Sequence, residues 1–215
     1  PQVLGAKMTT NKLCADKAII AQFISEITKD WSKTPNQVGI FEIRCLGENR
    51  TPIAEQFTLT EMDQAANLAL QMNKAKLNVY LTINPINPSA VIKAGKGATD
   101  IDMLRAHYSF ADADDQQGLD GLNKLAGRVE PDMIVTTGTV PHERCHAYWR
   151  LAEPCCDLTL WRLRQTNIAT QCQTDRAVVN PSRIMRLAGT VNYPSQQKLT
   201  RGYVPELVTL KVRAD

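Results

Sequence analysis

Three groups of reactive side chains stand far apart in this chain of 215 residues. They are Asp112 and Asp114 in Phe110-Ala-Asp-Ala-Asp114, His146 in Arg144-Cys-His-Ala-Tyr-Trp149, and Asp175 ahead of Arg183-Ile-Met-Arg186-Leu-Ala-Gly189. Carboxylates, a histidine and a pair of arginines are the parts of a two-metal phosphoryl-transfer site. Alternate residues of an extended strand share a face, so Asp112 and Asp114, which follow the apolar stretch Ala106–Phe110, are expected to point the same way and share metal ions. Asp175 would close a clamp for two divalent ions about 3.5–4 Å apart, which steadies the attacking and leaving oxygens of an in-line displacement. Oxygen ligands suit hard cations, Mg²⁺ or Mn²⁺. Arg183 and Arg186, three apart, would share a helix face or bracket a turn, and guanidinium forks match phosphate oxygens. Lys198 and Arg201, after Asn192-Tyr-Pro194, are further candidates for phosphate.

Each motif has a plainer meaning. Asp112-Ala-Asp-Asp115 taken alone is a polar turn leaving a strand, and it is no calcium loop, because Gln117 and Asn123 stand where that loop needs Gly and Glu. His142-Glu-Arg-Cys-His146 matches the HExxH pattern of zinc proteases. That chemistry needs a helix, so that both imidazoles reach one zinc. Here Thr136-Thr-Gly-Thr-Val-Pro141 reads as a turn, and the residues after it alternate with a period of two, which places His146 on a strand. On that strand Cys145, Ala147, Trp149 and Leu151 are expected to pack, leaving Arg144, His146, Tyr148 and Arg150 as a cationic wall suited to phosphate. Gly95-Lys-Gly97 lies in a mobile, partly basic loop and lacks the spacing of a Walker loop, so no helicase motor is expected here.

The elements that must hold these groups alternate between helix and strand. Lys17–Ile27 carries apolar residues at helical spacing, and Val38–Leu46 reads as a strand. Thr60 followed by Asp63 is a plausible helix start for a stripe of Met62, Ala65, Ala66, Ala69 and Met72. Leu77–Ile83 is a buried strand ended by Asn84-Pro85. Leu119–Leu125 reads as a short helix, Met133–Thr137 and Arg144–Leu151 as strands. Asp157 caps a helix that runs to Cys172 with Trp161, Ile168 and Cys172 inward, and Leu207–Val212 is strand-like. The pattern is that of an α/β or α+β protein.

Apolar content of 43% with 22% charged residues is ordinary globular composition, enough for one buried domain or one domain of two small αβ lobes. Net charge is only +3, yet from Arg176 onward seven Lys or Arg face two acids, a distribution suited to a polyanion held near an acidic metal site. The six cysteines show no CxxC spacing and read as reduced thiols of a cytoplasmic protein, mostly buried. No signal peptide or membrane-spanning run is visible, and the start at Pro1 suggests a fragment of a longer protein.

The ordered set of Asp-x-Asp, a strand-borne histidine before Tyr-Trp, and an acid followed by Arg-x-x-Arg-Leu-x-Gly-Thr-x-Asn resembles the archaeo-eukaryotic primase superfamily, in particular the primase-polymerase domains of plasmids, phages and mobile elements. The resemblance covers roughly Arg44 to Arg201. It implies an RRM-like catalytic sheet, in about residues 101–215, packed with a smaller N-terminal αβ lobe in about residues 1–100. It implies Asp112, Asp114 and Asp175 as catalytic ligands of two Mg²⁺ or Mn²⁺ ions, with Asn180, beside Pro181, as the other position the third motif could occupy. His146, Arg183, Arg186, Lys198 and Arg201 would bind the nucleotide. The expected partners are a DNA template and primer, NTP or dNTP substrates, and a helicase in cis or trans, with no membrane. A non-catalytic nucleic-acid-binding replication module on the same sheet is the alternative, and a HExxH zinc protease the third reading.

Overall fold

The computed structural model describes residues 13–33 and 38–214. Five α-helices and ten strands follow one another in the described residues, and the first three of these helices form where the apolar spacing predicts them. Helix α1 (Lys17–Thr28) buries Ile20, Phe23, Ile24 and Ile27, each worth about 1.5–3 kcal/mol once out of water. Its first turn is capped by Asp16, whose carboxylate accepts the N–H groups of Ala18 and Ile19 at 2.8 and 3.3 Å. Strands β1 (Phe41–Leu46) and β2 (Ile53–Phe57) pair antiparallel. Helix α2 (Met62–Lys74) is preceded by a 3₁₀ turn at Leu59–Glu61, so the helical segment begins one residue before Thr60: the N–H and hydroxyl of Thr58 donate to Glu61 at 2.8 and 2.7 Å.

Next come β3 (Asn78–Thr82), β4 (Ala106–Ala113), α3 (Gln116–Ala126), β5 (Met133–Gly138) and β6 (Arg144–Cys155). Helix α4 (Leu158–Cys172) is capped by Asp157 as expected, the carboxylate accepting Leu160 N–H at 2.9 Å. The chain ends in β7 (Ile184–Arg186), β8 (Val191–Asn192), α5 (Gln196–Leu199), β9 (Glu206–Leu207) and β10 (Thr209–Val212). Arg183 and Arg186 thus flank and end a short strand; no helix carries them.

Two four-stranded antiparallel sheets result, ordered β2-β1-β3-β7 and β10-β5-β6-β4, beside a small β8-β9 ladder. The first sheet takes its fourth strand, β7, from the second half of the chain, and one apolar core joins both sheets and α1. Strand β6 differs from its expected two-faced character. Tyr148, His146 and Arg144 are as buried as Cys145 and Ala147, because β6 lies between β5 and β4 with packing on both faces. Tyr148 meets Phe23, Tyr108 and Phe110 at ring distances of 5.8–6.4 Å, while Cys145, Ala147 and Trp149 pack with Leu119 and Leu122 of α3.

Edge strand β4 is closed by α4. Gln165 accepts Phe110 N–H at 3.2 Å and donates to the Phe110 carbonyl, and Trp161 Nε1 donates to the Tyr108 carbonyl at 2.9 Å. A buried amide side chain therefore takes the place of a fifth strand. Helices α3 and α4 meet at Gly121, where a Cβ would fall 2.0 Å from the Cys172 carbonyl oxygen. All six cysteines carry free thiols; Cys45, Cys145 and Cys172 are buried, Cys14 and Cys156 exposed. Among the described residues no helix is long and apolar enough to cross a membrane.

A candidate active site between the sheets

The pairing register brings the first two motifs together. In β4 and β6, Asp112 lies directly opposite His146, and Val135 of β5 is the next residue across. Cross-strand neighbours project to the same face, so a carboxylate and an imidazole separated by 34 positions in sequence meet at the sheet surface. Asp114 follows one residue past the end of β4, and Asp115 caps α3 by accepting Gly118 N–H at 2.8 Å. The acidic run is thus divided: Asp115 is the polar turn residue, and Asp112 and Asp114 remain free of such a task.

Opposite them stands the first sheet. Arg186 of β7 pairs with Tyr80 of β3, its Nη2 donating to the Tyr80 hydroxyl at 3.0 Å and its guanidinium lying 4.7 Å from the ring centre. The two sheets enclose a cavity of about 220 Å³ whose walls include Asp112, Asp114 and His146 on one side and Tyr80, Arg183 and Arg186 on the other. Thr137, Arg144, Asn192 and Lys198 complete the rim. Arg144 is ion-paired with Glu206 at 3.1 Å and stacks 4.6 Å from Tyr203, a ring that Lys198 and Arg201 also approach, at 5.4 and 5.5 Å. Arg201 is absent from the cavity wall and reaches the site only through this ring. Arg150 turns to the opposite side, pairing with Asp30 and Glu26, so the expected cationic wall of β6 is divided between two places.

Asp175 stands beside the carboxylate pair and outside the cavity wall. Its N–H donates to the Asp112 carbonyl at 3.4 Å, and its own carboxylate accepts Ala177 N–H at 2.8 Å. Asn180 is directed elsewhere, its amide donating to Asp100 and Ser182 at 3.3 and 3.0 Å. Among the described residues no three His, Cys, Asp or Glu side chains converge as ligands of one metal. His142 uses its ring on the Asp114 carbonyl, 2.8 Å away, while His146 lies on β6, so the helix that HExxH chemistry needs is replaced by a turn and a strand.

The electrostatics follow from this packing. Burial, then the neighbouring charge of Asp114, with a smaller push from Asp175, raise Asp112 to about 7 against the opposing pull of Arg183 and Arg186. His146 is driven down to about 3, first by burial and then by Arg186 and Arg183. The imidazole is therefore neutral at neutral pH, and its 3.4 Å approach to Asp112 is not an ion pair. Burial, then Asp112 and Cys145, hold the Tyr148 hydroxyl protonated, and its hydrogen-bond partner among the described residues is His146 Nδ1 at 3.2 Å. In the tautomer in which the Tyr148 O–H donates to Nδ1, the Nε2–H faces Asp112 and the cavity.

Both arginines line the cavity, and each has one buried donor, Arg183 Nε and Arg186 Nη1, without a hydrogen-bond partner among the described residues. Leaving a buried donor unpaired costs about 1–3 kcal/mol, so their arrangement fits an anion. The carboxylates opposite fit a hard cation: burial first, and then the charge of Asp114, raise Asp112 to about 7, and a cation held between the two acids would offset both.

The chain shares its fold with solved primase and primase-polymerase domains. The AEP domain of the cyanophage S-2L primase-polymerase superposes with a TM-score of 0.61 over 93% of this chain and 91% of its own, at 19% identity. Primase RepB′ superposes with a TM-score of 0.58 over 89% of this chain and 56% of its own, at 18% identity. The catalytic domain of RepB′ in complex with initiator DNA gives 0.55 over 89% and 84%, also at 18% identity. No protein-family profile and no curated protein matches the chain.

Sequence reasoning missed Tyr80 and Thr137 as cavity residues. Tyr80 was legible: Asn78, Tyr80 and Thr82 alternate with Val79, Leu81 and Ile83, the signature of a strand with one polar face.

Proposed function

We propose that this domain is a template-dependent nucleotidyltransferase, a DNA primase and/or DNA polymerase, acting by two-metal phosphoryl transfer in the replication of a mobile element. One observation carries the reading: in a single cavity, the pair Asp112 and Asp114 faces two arginines, Arg183 and Arg186, each with a buried donor that is unpartnered among the described residues. Carboxylates alone repel a polyanion, and arginines alone would not need them; a metal-bound triphosphate satisfies both. The fold shared with the phage primase-polymerase domain, and with a primase domain that holds initiator DNA, supports the same reading.

Asp112 and Asp114 would hold Mg²⁺ or Mn²⁺; Asp175, tied to the Asp112 carbonyl by its N–H, would become a third ligand only by turning its carboxylate from Ala177 N–H toward the pair. Bound there, the ions would supply Lewis acidity to the attacking 3′-hydroxyl and neutralise the departing pyrophosphate. The protein's own groups do the positioning. Arg183 and Arg186 fork onto the phosphate oxygens, and His146 offers Nε2–H from a ring whose tautomer Tyr148 sets. Lys198 adds charge at the rim, with Arg201 and Tyr203 beyond it along the path a primer or template strand would take. A helicase, in cis or in trans, would open the duplex for this domain.

The test is incorporation of labelled nucleotides on a primed and an unprimed DNA template with Mg²⁺ or Mn²⁺, beside a zinc determination on the same protein. Template-dependent products without bound zinc are expected. Stoichiometric zinc with no product selects the protease, and DNA binding with neither zinc nor product selects the non-catalytic module.

A further inference from the structure

We infer that Asp100 is a positioning residue for Arg183: it fixes the Asn180–Ser182 turn from which the Arg183 guanidinium is launched into the cavity. The inference rests on the triphosphate-binding reading above, and it begins from an asymmetry between the two arginines. Arg186 lies within β7 and is steadied by the Tyr80 hydroxyl and ring. Arg183 precedes the strand, and among the described residues no hydrogen bond or ion pair of its side chain holds it. Its backbone therefore sets the point from which the side chain reaches the cavity.

That backbone leaves a turn closed by Arg183 N–H on the Asn180 carbonyl at 3.1 Å. One carboxylate oxygen gathers the turn. Asp100 Oδ1 accepts the Ser182 hydroxyl at 2.6 Å, the Ser182 N–H at 3.1 Å and the Asn180 amide at 3.3 Å, while Oδ2 takes Arg162 of α4. Burial alone would raise the Asp100 carboxyl; the Ser182 and Asn180 donors and Arg162 outweigh it and hold it below the usual range.

Asp100 is free for this because its neighbour closes the local turn: Asp102 accepts both the N–H and the hydroxyl of Thr99, at 2.8 and 2.7 Å. The loop that carries Asp100 is itself tied to the first sheet at Ala98, whose N–H donates to the fully buried Glu42 at 2.8 Å and whose carbonyl accepts Arg44 at 3.2 Å. A continuous chain of contacts thus runs from β1 through Ala98 and Asp100 to Ser182 and Arg183. Asn84, donating to the Pro181 carbonyl at 3.1 Å, is the second support of the same turn.

The experiment is equilibrium binding of ATP and dATP, each with Mg²⁺, to the wild type, Asp100→Ala, Asp100→Asn, Arg183→Ala and the Asp100→Ala/Arg183→Ala double variant. Asp100→Ala should weaken binding about tenfold, the scale of one lost charged hydrogen bond. Asp100→Asn keeps an oxygen for Ser182 and should stay within about twofold of the wild type, and the double variant should bind no more weakly than Arg183→Ala alone, since non-additivity marks a shared route. In nucleotide incorporation the same change should raise KM more than it lowers kcat.

Wild-type affinity in folded Asp100→Ala, or additive losses in the double variant, would overturn the inference. If Asp100→Ala does not fold, Ser182→Ala decides: weaker binding that vanishes in the Arg183→Ala background supports it, and unchanged binding sinks it. A wild type that binds nucleotide without extending a primer removes the proposed function and leaves this inference standing. A wild type that extends primers while Asp100→Ala binds normally does the reverse, and one that binds neither nucleotide removes both.

Discussion

Asp112 and His146 face each other across two strands with opposite departures from their ordinary titration, and both follow from one cause, removal of charge from water. Asp112, at about 7 in the fold against 3.8 in an exposed chain, adds stability below about pH 4 that disappears as pH rises through 7. His146, at about 3 against 6.5, adds stability above about 6.5 that disappears as pH falls toward 3. The two oppose each other between about pH 4 and 6.5. Metal-free Asp112→Asn should therefore show a Tm that climbs with pH across this window, and His146→Gln one that falls; parallel profiles in both variants would contradict these directions. For activity, Asp112→Ala and Asp114→Ala should each abolish incorporation while circular dichroism and DNA binding persist. Asp175→Ala should do likewise and Asn180→Ala should not; the reverse pattern would move the third ligand. The acids, the histidine and the arginines were legible from type and order. The protonation of the site was not, because it depends on burial of β6 on both faces, and a period of two in sequence does not distinguish a cavity from solvent.

At the scale of elements, the sequence was clearest where a local rule decides the outcome. The stripe of α1, the Asp157 cap of α4 and the existence of strand β3 all followed from patterns within a few residues. It was least clear where a distant partner decides. Arg183-Ile-Met-Arg186 has nothing local that forbids a helix, and becomes a strand because β3 offers it a free edge, with Tyr80 opposite Arg186. Gln165 is the counterpart on the other sheet: a polar residue facing inward on α4 that makes sense only once β4 is seen to need an edge partner. Gln165→Leu removes both bonds to Phe110 and should cost about 1–3 kcal/mol for each backbone group left unpaired. Urea unfolding measures it; a variant as stable as the wild type would show that α4 does not support the strand that carries Asp112.

For the whole molecule, function depends on a topology that returns late to where it began. Strand β7, residues 184–186, completes a sheet otherwise built from residues 41–82, and so carries the arginines across from the half of the chain that carries the carboxylates. Neither sheet alone encloses the cavity. The order of motifs along the chain was readable, but the pairing of β7 with β3 spans about a hundred residues and leaves no local trace. The most direct test is a crystal grown with Mn²⁺ and a non-hydrolysable nucleoside triphosphate, with manganese located by its anomalous scattering. Manganese between Asp112 and Asp114, with the triphosphate against Arg183, Arg186 and His146 Nε2, is the predicted result. Manganese bound elsewhere, or a triphosphate seated away from the two arginines, would contradict the account.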